Sequence, residues 1–335
     1  MRPSTPAAPG PEVSTDPDRA VAILRAGGLV AIPTETVYGL AADAQNSGSV
    51  RRVFEAKGRP ADHPLIVHVA GLDELDPWVE SVPDRARVLA ARWWPGPLTL
   101  LLRRSERVLD DVTGGRDTVA VRSPDHPLTI EVLRRFGGGV VAPSANRFGR
   151  VSPTSASDVV AELGPALDLV LDGGPCSVGV ESTIVDLTHD VPAVLRRGGV
   201  TPEELADVLG VEVAVSGSDA EIIAPGMVAS HYAPDAAITV LDPAAPDVEV
   251  VETVTELLVT TPGVGVLAPR RVDGLPVGAV ELDPGGGPDD FARVLYSRLR
   301  EADARGLDKL VVVPPPAEGI GAAVHDRLRR AAHRD

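Results

Sequence analysis

Between about Ala214 and Pro234 the regular patterning of this chain lapses into Ser, Gly, Pro and Ala. Before that stretch, apolar runs and amphipathic segments mix without strict order; after it they alternate. A lapse of this kind in 335 residues divides the molecule into two units, because single cores stop growing at about 250–300 residues. The expected organisation is a disordered Pro-, Ala- and Ser-rich tail over 1–15 and an α/β unit over 16–213. A linker over 214–236 and a smaller α/β domain over 237–335 follow.

In the first unit, Asp16 or Asp18 can cap a helix through Ala20–Arg25, which Gly27 and Gly28 stop. Strands are expected at Leu29–Pro33, Leu65–Val69, Leu98–Leu102, Thr118–Arg122, Val140–Pro143, Leu167–Leu171, Ser182–Leu187 and Ala193–Arg196. Helices are expected at Ser49–Lys57, Asp84–Trp93, Pro127–Phe136, Ser155–Leu163 and Pro202–Leu209. That order predicts a mixed twisted sheet with flanking helices. In the second unit, strands near Ile238–Leu241, Val264–Leu267 and Leu310–Val313 alternate with helices near Val248–Leu257, Asp289–Ala302 and Ala322–Ala332. This is the rhythm of a small Rossmann-like domain, but no glycine fingerprint follows its first strand, which argues against a dinucleotide.

Charge restricts the partners. Residues 1–200 carry 21 basic and 25 acidic side chains, a balance of −4, and residues 201–335 carry 11 and 23, a balance of −12. A surface of that sign repels nucleic acid, so direct tRNA binding is expected to be weak or absent. Cys176 is the only cysteine, which leaves no internal disulfide and no multi-cysteine metal site. No apolar run is long enough for a membrane span and residues 1–15 lack the layout of a secretion signal, so a cytoplasmic protein is expected.

The basic residues carry a sharper signal. Only two of the 32 are lysines, Lys57 and Lys309. Lys57 ends a helix two residues before Arg59, and a compact ammonium beside a planar fork suits a polyphosphate. Several further segments at strand ends combine hydroxyls, glycines and single cations: Pro33–Leu40, His63–His68, Trp94–Thr99, Thr118–Arg122, Ala142–Asn146, Gly179–Ile184 and Leu195–Gly199. Loops at sheet edges are where ligands are held. Each segment also has a plainer reading, as a capping turn, a core histidine or a surface charge. No P-loop, paired-histidine or nucleophile-elbow motif is present. Spacing alone therefore ends at a pocket for an anionic ligand.

In this order, Pro-Thr-Glu-Thr-Val-Tyr-Gly-Leu, Lys-x-Arg, Trp-Pro-Gly-Pro-Leu-Thr, Ser-x-Asn and Val-Glu-Ser-Thr-Ile resemble the YrdC-like family, in the two-domain form of the threonylcarbamoyl-AMP synthases. The resemblance runs from about Asp16 to Val208 and resumes at Ala224–Pro234. It implies synthesis of threonylcarbamoyl-adenylate from L-threonine, bicarbonate and ATP, with magnesium carried on the ATP phosphates and no metal ligands from the protein. The product goes to a downstream threonylcarbamoyl transferase that modifies adenosine 37 of tRNA. It further implies that Lys57, Arg59, His63, Ser144, Asn146, Ser152, Arg196 and Tyr232 meet ATP, with Lys57 and Arg59 in the catalytic role. Thr36, His68, Thr118, Arg122, Ala142 and Ser182 would enclose threonine. The linker departs from the family pattern: Val228-Ala229-Ser230 stand where two cations are expected, so either the lid contributes less to phosphate binding or Arg147 and Arg150 compensate. The main alternative is a non-enzymatic RNA-binding module of the same fold, disfavoured by the −4 balance and by 3% aromatic residues. A carbamoyl-adenylate domain of hydrogenase-maturation type is disfavoured by the single cysteine.

Overall fold

Side chains on a strand alternate between two faces, so the position of each polar residue depends on which strands neighbour each other. A computed structural model describes residues 10–216 and 232–333. The first unit opens with β1 (Glu12–Ser14), α1 (Pro17–Arg25), β2 (Val30–Ile32), β3 (Gly39–Asp43), α2 (Ser47–Lys57) and β4 (Ile66–His68). It continues with α3 (Asp84–Trp93), β5 (Leu98–Arg103), α4 (Asp110–Thr113), β6 (Thr118–Arg122), α5 (Pro127–Phe136) and β7 (Val140–Val141). Then come α6 (Ala156–Leu163), β8 (Leu169–Leu171), β9 (Thr183–Asp186), β10 (Ala193–Arg196), α7 (Pro202–Leu209) and β11 (Ala214–Val215). The second unit holds β12 (Ala237–Val240), α8 (Asp247–Thr260), β13 (Val264–Leu267), β14 (Val280–Leu282), α9 (Pro288–Ala304), β15 (Lys309–Val312) and α10 (Gly321–Ala332).

The first sheet has the order β1-β8-β2-β3-β7-β4-β6-β5-β9-β10-β11, with parallel and antiparallel pairs interspersed. The mixed sheet expected from the sequence is therefore observed. The second sheet, β12-β15-β13-β14, is entirely parallel. Local signals set the helix ends. Asp16 accepts the Asp18 amide ahead of Pro17, and Asn46 accepts the Ser49 amide at the start of α2. Gly58, at φ 62°, ends α2 immediately after Lys57.

Three expectations change. Glu12–Ser14 pairs in parallel with β8, so the sheet takes up part of the segment assigned to a tail, while residues 1–9 lie outside the described residues. Ala214 and Val215 pair with β10, so the first unit runs past 213 into the segment read as linker. Strand β3 was not expected, because Gly-Leu-Ala-Ala-Asp has neither β-branched residues nor alternation; its pairing with β2 and β7 creates it. Of the linker, Val228–Ser230 and His231 lie outside the described residues.

Candidate active site: a cationic cavity over strand ends

Ile66, Leu101, Ala120, Ile184 and Leu195 form a small buried apolar cluster on one face of the first sheet. Two residues after Ile66 and Ala120 come His68 and Arg122, and two residues before Leu101 and Ile184 come Thr99 and Ser182, all on the same face and at the same end of the strands. Register confirms the grouping: His68 and Thr99 both lie opposite Arg122, and Arg196 lies opposite Ile184 across a bulge. The strand order therefore sets out, from one side to the other, Ala142 and Ser144 after β7, then His68, Arg122, Thr99, Ser182 and Arg196. Gly198 lets the chain after β10 cross the β9 entrance, since a Cβ there would come 2.3 Å from the Thr183 amide nitrogen.

A cavity over these strand ends is lined by Thr36, Arg59, His68, Arg122, Ala142, Ser144, Glu181, Arg196 and Tyr232, with Val37, Ile66 and Pro143. Eight of the residues named from the sequence thus meet at one cavity. Arg122 is 4% exposed; its Nε donates to the Gly96 carbonyl at 3.2 Å and its Nη2 to Glu35 at 2.6 Å. Three of its five N–H donors remain for a ligand. Glu35 is in turn fixed by the Asp125 amide at 3.0 Å. Burial, reinforced by Arg122, pulls the His68 imidazole down to about 3, so it is neutral at ordinary pH. Its Nδ1 lies 3.2 Å from the Ile66 carbonyl, an acceptor, which puts the proton on Nδ1 and leaves Nε2 to accept. Burial lowers Arg59 only to about 10, so it stays charged. The lining therefore holds three guanidinium groups.

Other expected residues stand behind this wall. The Ser182 hydroxyl is shared between Thr99 at 2.7 Å and Arg196 Nη2 at 3.0 Å. Ser152 donates to Glu181 at 2.7 Å. The Asn146 side-chain amide donates to the Arg147 and Arg150 carbonyls, leaving its buried Oδ1 without a partner among the described residues. His63 is one ring removed: it meets Phe148 edge-on at 5.5 Å, while Arg59 lies over the same ring.

Two assignments need correction. Lys57 does not line the cavity. Its Nζ donates to the Ser144 and Asn146 carbonyls at 2.5 and 2.6 Å, and the side chain is 3% exposed. Burial and then Arg59 pull its pKa well below the usual lysine value. Where direct contact with phosphate was expected, the side chain instead holds the back of the Ser144–Asn146 loop. Thr118 is at the far end of β6 from Arg122, opposite Arg103, and is not in the lining. Four residues of strand separate it from the site by roughly 13 Å. As for the substitute cations, Arg150 is committed to Asp235 at 2.7 Å, and Arg147 borders a separate hollow beside Glu162.

The sequence reading missed four partners. Glu35 and Glu181 lie inside motifs it singled out, but carried no role. Tyr296 and Arg327 come from the second domain, where no motif stood out. Composition held one clue: the chain has three tyrosines, and two of them, Tyr232 and Tyr296, stack here at 5.6 Å. Burial pushes the Glu181 carboxyl up, yet Arg327 and then Arg196 outweigh it and hold the pKa at about 2. A depressed carboxylate stabilises the fold fully above its ordinary value of 4.5, and that stability is lost as pH falls toward about 2. Thermal melts between about pH 7 and about pH 3 are expected to show an acid loss that Glu181→Gln reduces. Equal acid sensitivity of the two proteins would count against this.

The residues matched by known families fall on the same two units. A family model of the Sua5, YciO and YrdC proteins, described as telomere recombination, matches residues 22–198. A second, described as the threonylcarbamoyl-AMP synthase C-terminal domain, matches residues 200–333. The chain is 40% identical over 321 residues to the threonylcarbamoyl-AMP synthase of Pyrococcus abyssi, covering 93% of each. To that of Bacillus subtilis it is 38% identical over 330 residues, covering 96% of this chain and 95% of the other. The crystal structure of P. abyssi Sua5 complexed with L-threonine matches with a TM-score of 0.88 at 38% identity, over 96% of this chain and 97% of that one. Fold and cavity thus define a two-domain α/β protein whose ligand site lies over the strand ends of a mixed sheet. The chain belongs to the Sua5–YciO–YrdC family, in the form that carries the Sua5 C-terminal domain.

Proposed function

We propose that this protein is a threonylcarbamoyl-AMP synthase, a nucleotidyltransferase that joins L-threonine, bicarbonate and ATP. The observation that carries the reading is the cavity itself. A neutral acceptor, His68, and a half-committed guanidinium, Arg122, stand side by side, with Arg59, Ser144 and Arg196 around them. Arg122 takes the threonine carboxylate through two parallel N–H contacts. Thr36 and Ala142 complete that pocket, and the Ser182–Thr99 hydroxyl pair backs its wall. His68 cannot serve as a proton donor at neutral pH, so its free Nε2 orients the amino group or the hydroxyl of the substrate.

Threonine nitrogen adds to bicarbonate carbon with loss of water, giving N-carboxy-threonine. An oxygen of this carbamate then attacks the ATP α-phosphorus, the bond to the β-phosphate oxygen breaks, and pyrophosphate leaves. The carbamate decays in water, so it has to form and react inside a closed pocket. Arg59 and Arg196 offset the charge that develops on the leaving group, while Ser144 and Tyr232 bound the nucleotide. No side chain needs to form a covalent bond; positioning and electrostatics suffice. Magnesium enters with ATP as part of the substrate.

Among the described residues no helix is long and apolar enough to cross a membrane. The proposed place in tRNA modification puts the protein in the cytoplasm. Its labile product requires a transferase that takes the threonylcarbamoyl group onto adenosine 37 of tRNA. Mass spectrometry of a mixture of protein, L-threonine, bicarbonate and MgATP is expected to show threonylcarbamoyl-adenylate and pyrophosphate. Formation of neither product, or formation without threonine, would contradict the reading.

A further inference from the structure

Glu181 is an anomaly in the cavity wall. Every other charged side chain lining the cavity is a guanidinium, and this one is a carboxylate, 6% exposed. A bare carboxylate there would repel a polyphosphate. Its surroundings deal with that charge. Oε1 accepts from Ser152 at 2.7 Å; Oε2 accepts from Tyr296 at 2.8 Å and from Arg327 Nε at 2.7 Å. Arg196 approaches from β10 and contributes to the low pKa of about 2. Arg327, on α10 of the second domain, is 1% exposed and also donates to the Arg197 carbonyl at 2.9 Å and to Asp326 at 2.8 Å. Its guanidinium lies 5.4 Å from the centre of the Tyr232 ring, the other wall residue that faces this domain. Helix α9, which brings Tyr296, comes so close that a Cβ on Gly179 would lie 2.4 Å from the Arg293 Cα. The positive φ of 82° at Gly179 also favours glycine. The approach is built into the backbone on both sides.

We propose that Arg327 is a positioning residue for the nucleotide: from the second domain it neutralises Glu181 behind the cavity wall and seats Tyr232, so that the carboxylate does not offset the guanidinium charge that Arg59, Arg122 and Arg196 present to the triphosphate. The inference rests on the nucleotidyltransferase reading above. It gives the C-terminal domain a specific electrostatic task that the first unit alone lacks.

Kinetics of the full-length protein test this, with the KM values for ATP and for L-threonine measured separately between about pH 6 and about pH 9. In Arg327→Met the ATP KM is expected to rise about tenfold, while the threonine KM stays within about twofold. Without Arg327, burial raises the Glu181 pKa, so the ATP defect shrinks toward acid pH as the carboxyl takes up a proton and grows toward alkaline pH. Adding Glu181→Gln to Arg327→Met should bring the ATP KM back to within about threefold of wild type, and Arg327→Lys should keep most of the affinity. A scaffold role alone would lower kcat at every pH, affect both substrates, and not be rescued by the second substitution. An unchanged ATP KM in Arg327→Met, or a double variant no better than the single, overturns the proposal. If Arg327→Met does not fold, Glu181→Gln alone decides: its ATP KM should equal or fall below that of wild type, and a tenfold rise overturns the proposal. A wild-type protein that makes no adenylate from threonine sinks the functional reading instead, which separates the two failures.

Discussion

Arg122→Met is expected to reduce threonine-dependent turnover by ~10³-fold or more, the largest effect of any single change in this protein. Two losses combine. The cavity loses the fork proposed to take the threonine carboxylate, and Glu35, 5% exposed, is left without its ion-pair partner at 2.6 Å. Stranding a buried charge costs about 3–5 kcal/mol, so the melting temperature should fall as well. Arg122→Lys separates the contributions. An ammonium can still neutralise Glu35, but it cannot also donate to the Gly96 carbonyl and present two parallel N–H groups. Arg122→Lys should therefore fold nearly as well as wild type while its threonine KM rises by roughly 30-fold or more. A lysine variant with near-normal threonine KM would remove Arg122 from the carboxylate contact.

Lys57→Met is expected to be the second most damaging change, with ATP-dependent turnover down by about a hundredfold. It should also show a lowered melting temperature. The structure shows why fold and activity fall together. Two N–H groups of the ammonium satisfy the buried carbonyls of Ser144 and Asn146, and the loop between them supplies Ser144 to the cavity. Two unsatisfied carbonyls at about 1–3 kcal/mol each predict a drop of roughly 5–10 °C. Methionine keeps the length and the apolar stem, so packing loss is minor. A variant that loses ATP turnover yet melts with wild type would return Lys57 to the phosphates. One that melts early yet turns over normally would leave it a purely structural cation.

Much of the architecture could be read before the structure because it depends on short-range rules. The boundaries of α3, β6, α5, β10, α7 and β13 match the expected segments residue for residue. These segments carry period-2 or helical patterning with proline or glycine at their ends, so local preference and tertiary context agree. Strands β1, β3 and β14 were not legible. They are short, and β3 is made of small residues that gain strand geometry only from pairing with the neighbouring β2 and the distant β7. Site residues divide along the same line. Arg122, His68, Ser144 and Arg196 end recognisable strands or follow them directly; position offered them as candidates, and the motif resemblance assigned them to the site. Thr118 satisfied the same criterion at the wrong end of its strand. Its parity is that of Arg122, and only the length of strand between them, about 13 Å, keeps it out.

Residue types and their order determined by themselves that the chain has two α/β units, a mixed sheet in the first, and polar strand ends suited to an anion. Alternation and capping act over a few residues, and a sequence displays them directly. Tertiary structure alone decided the direction of each charge. It turned Lys57 toward two carbonyls, tied Arg122 to Glu35 across 87 residues of chain, and brought Arg327 across 146 residues to Glu181. The energy of a charge depends on distance and burial, and neither is written in the order of residues.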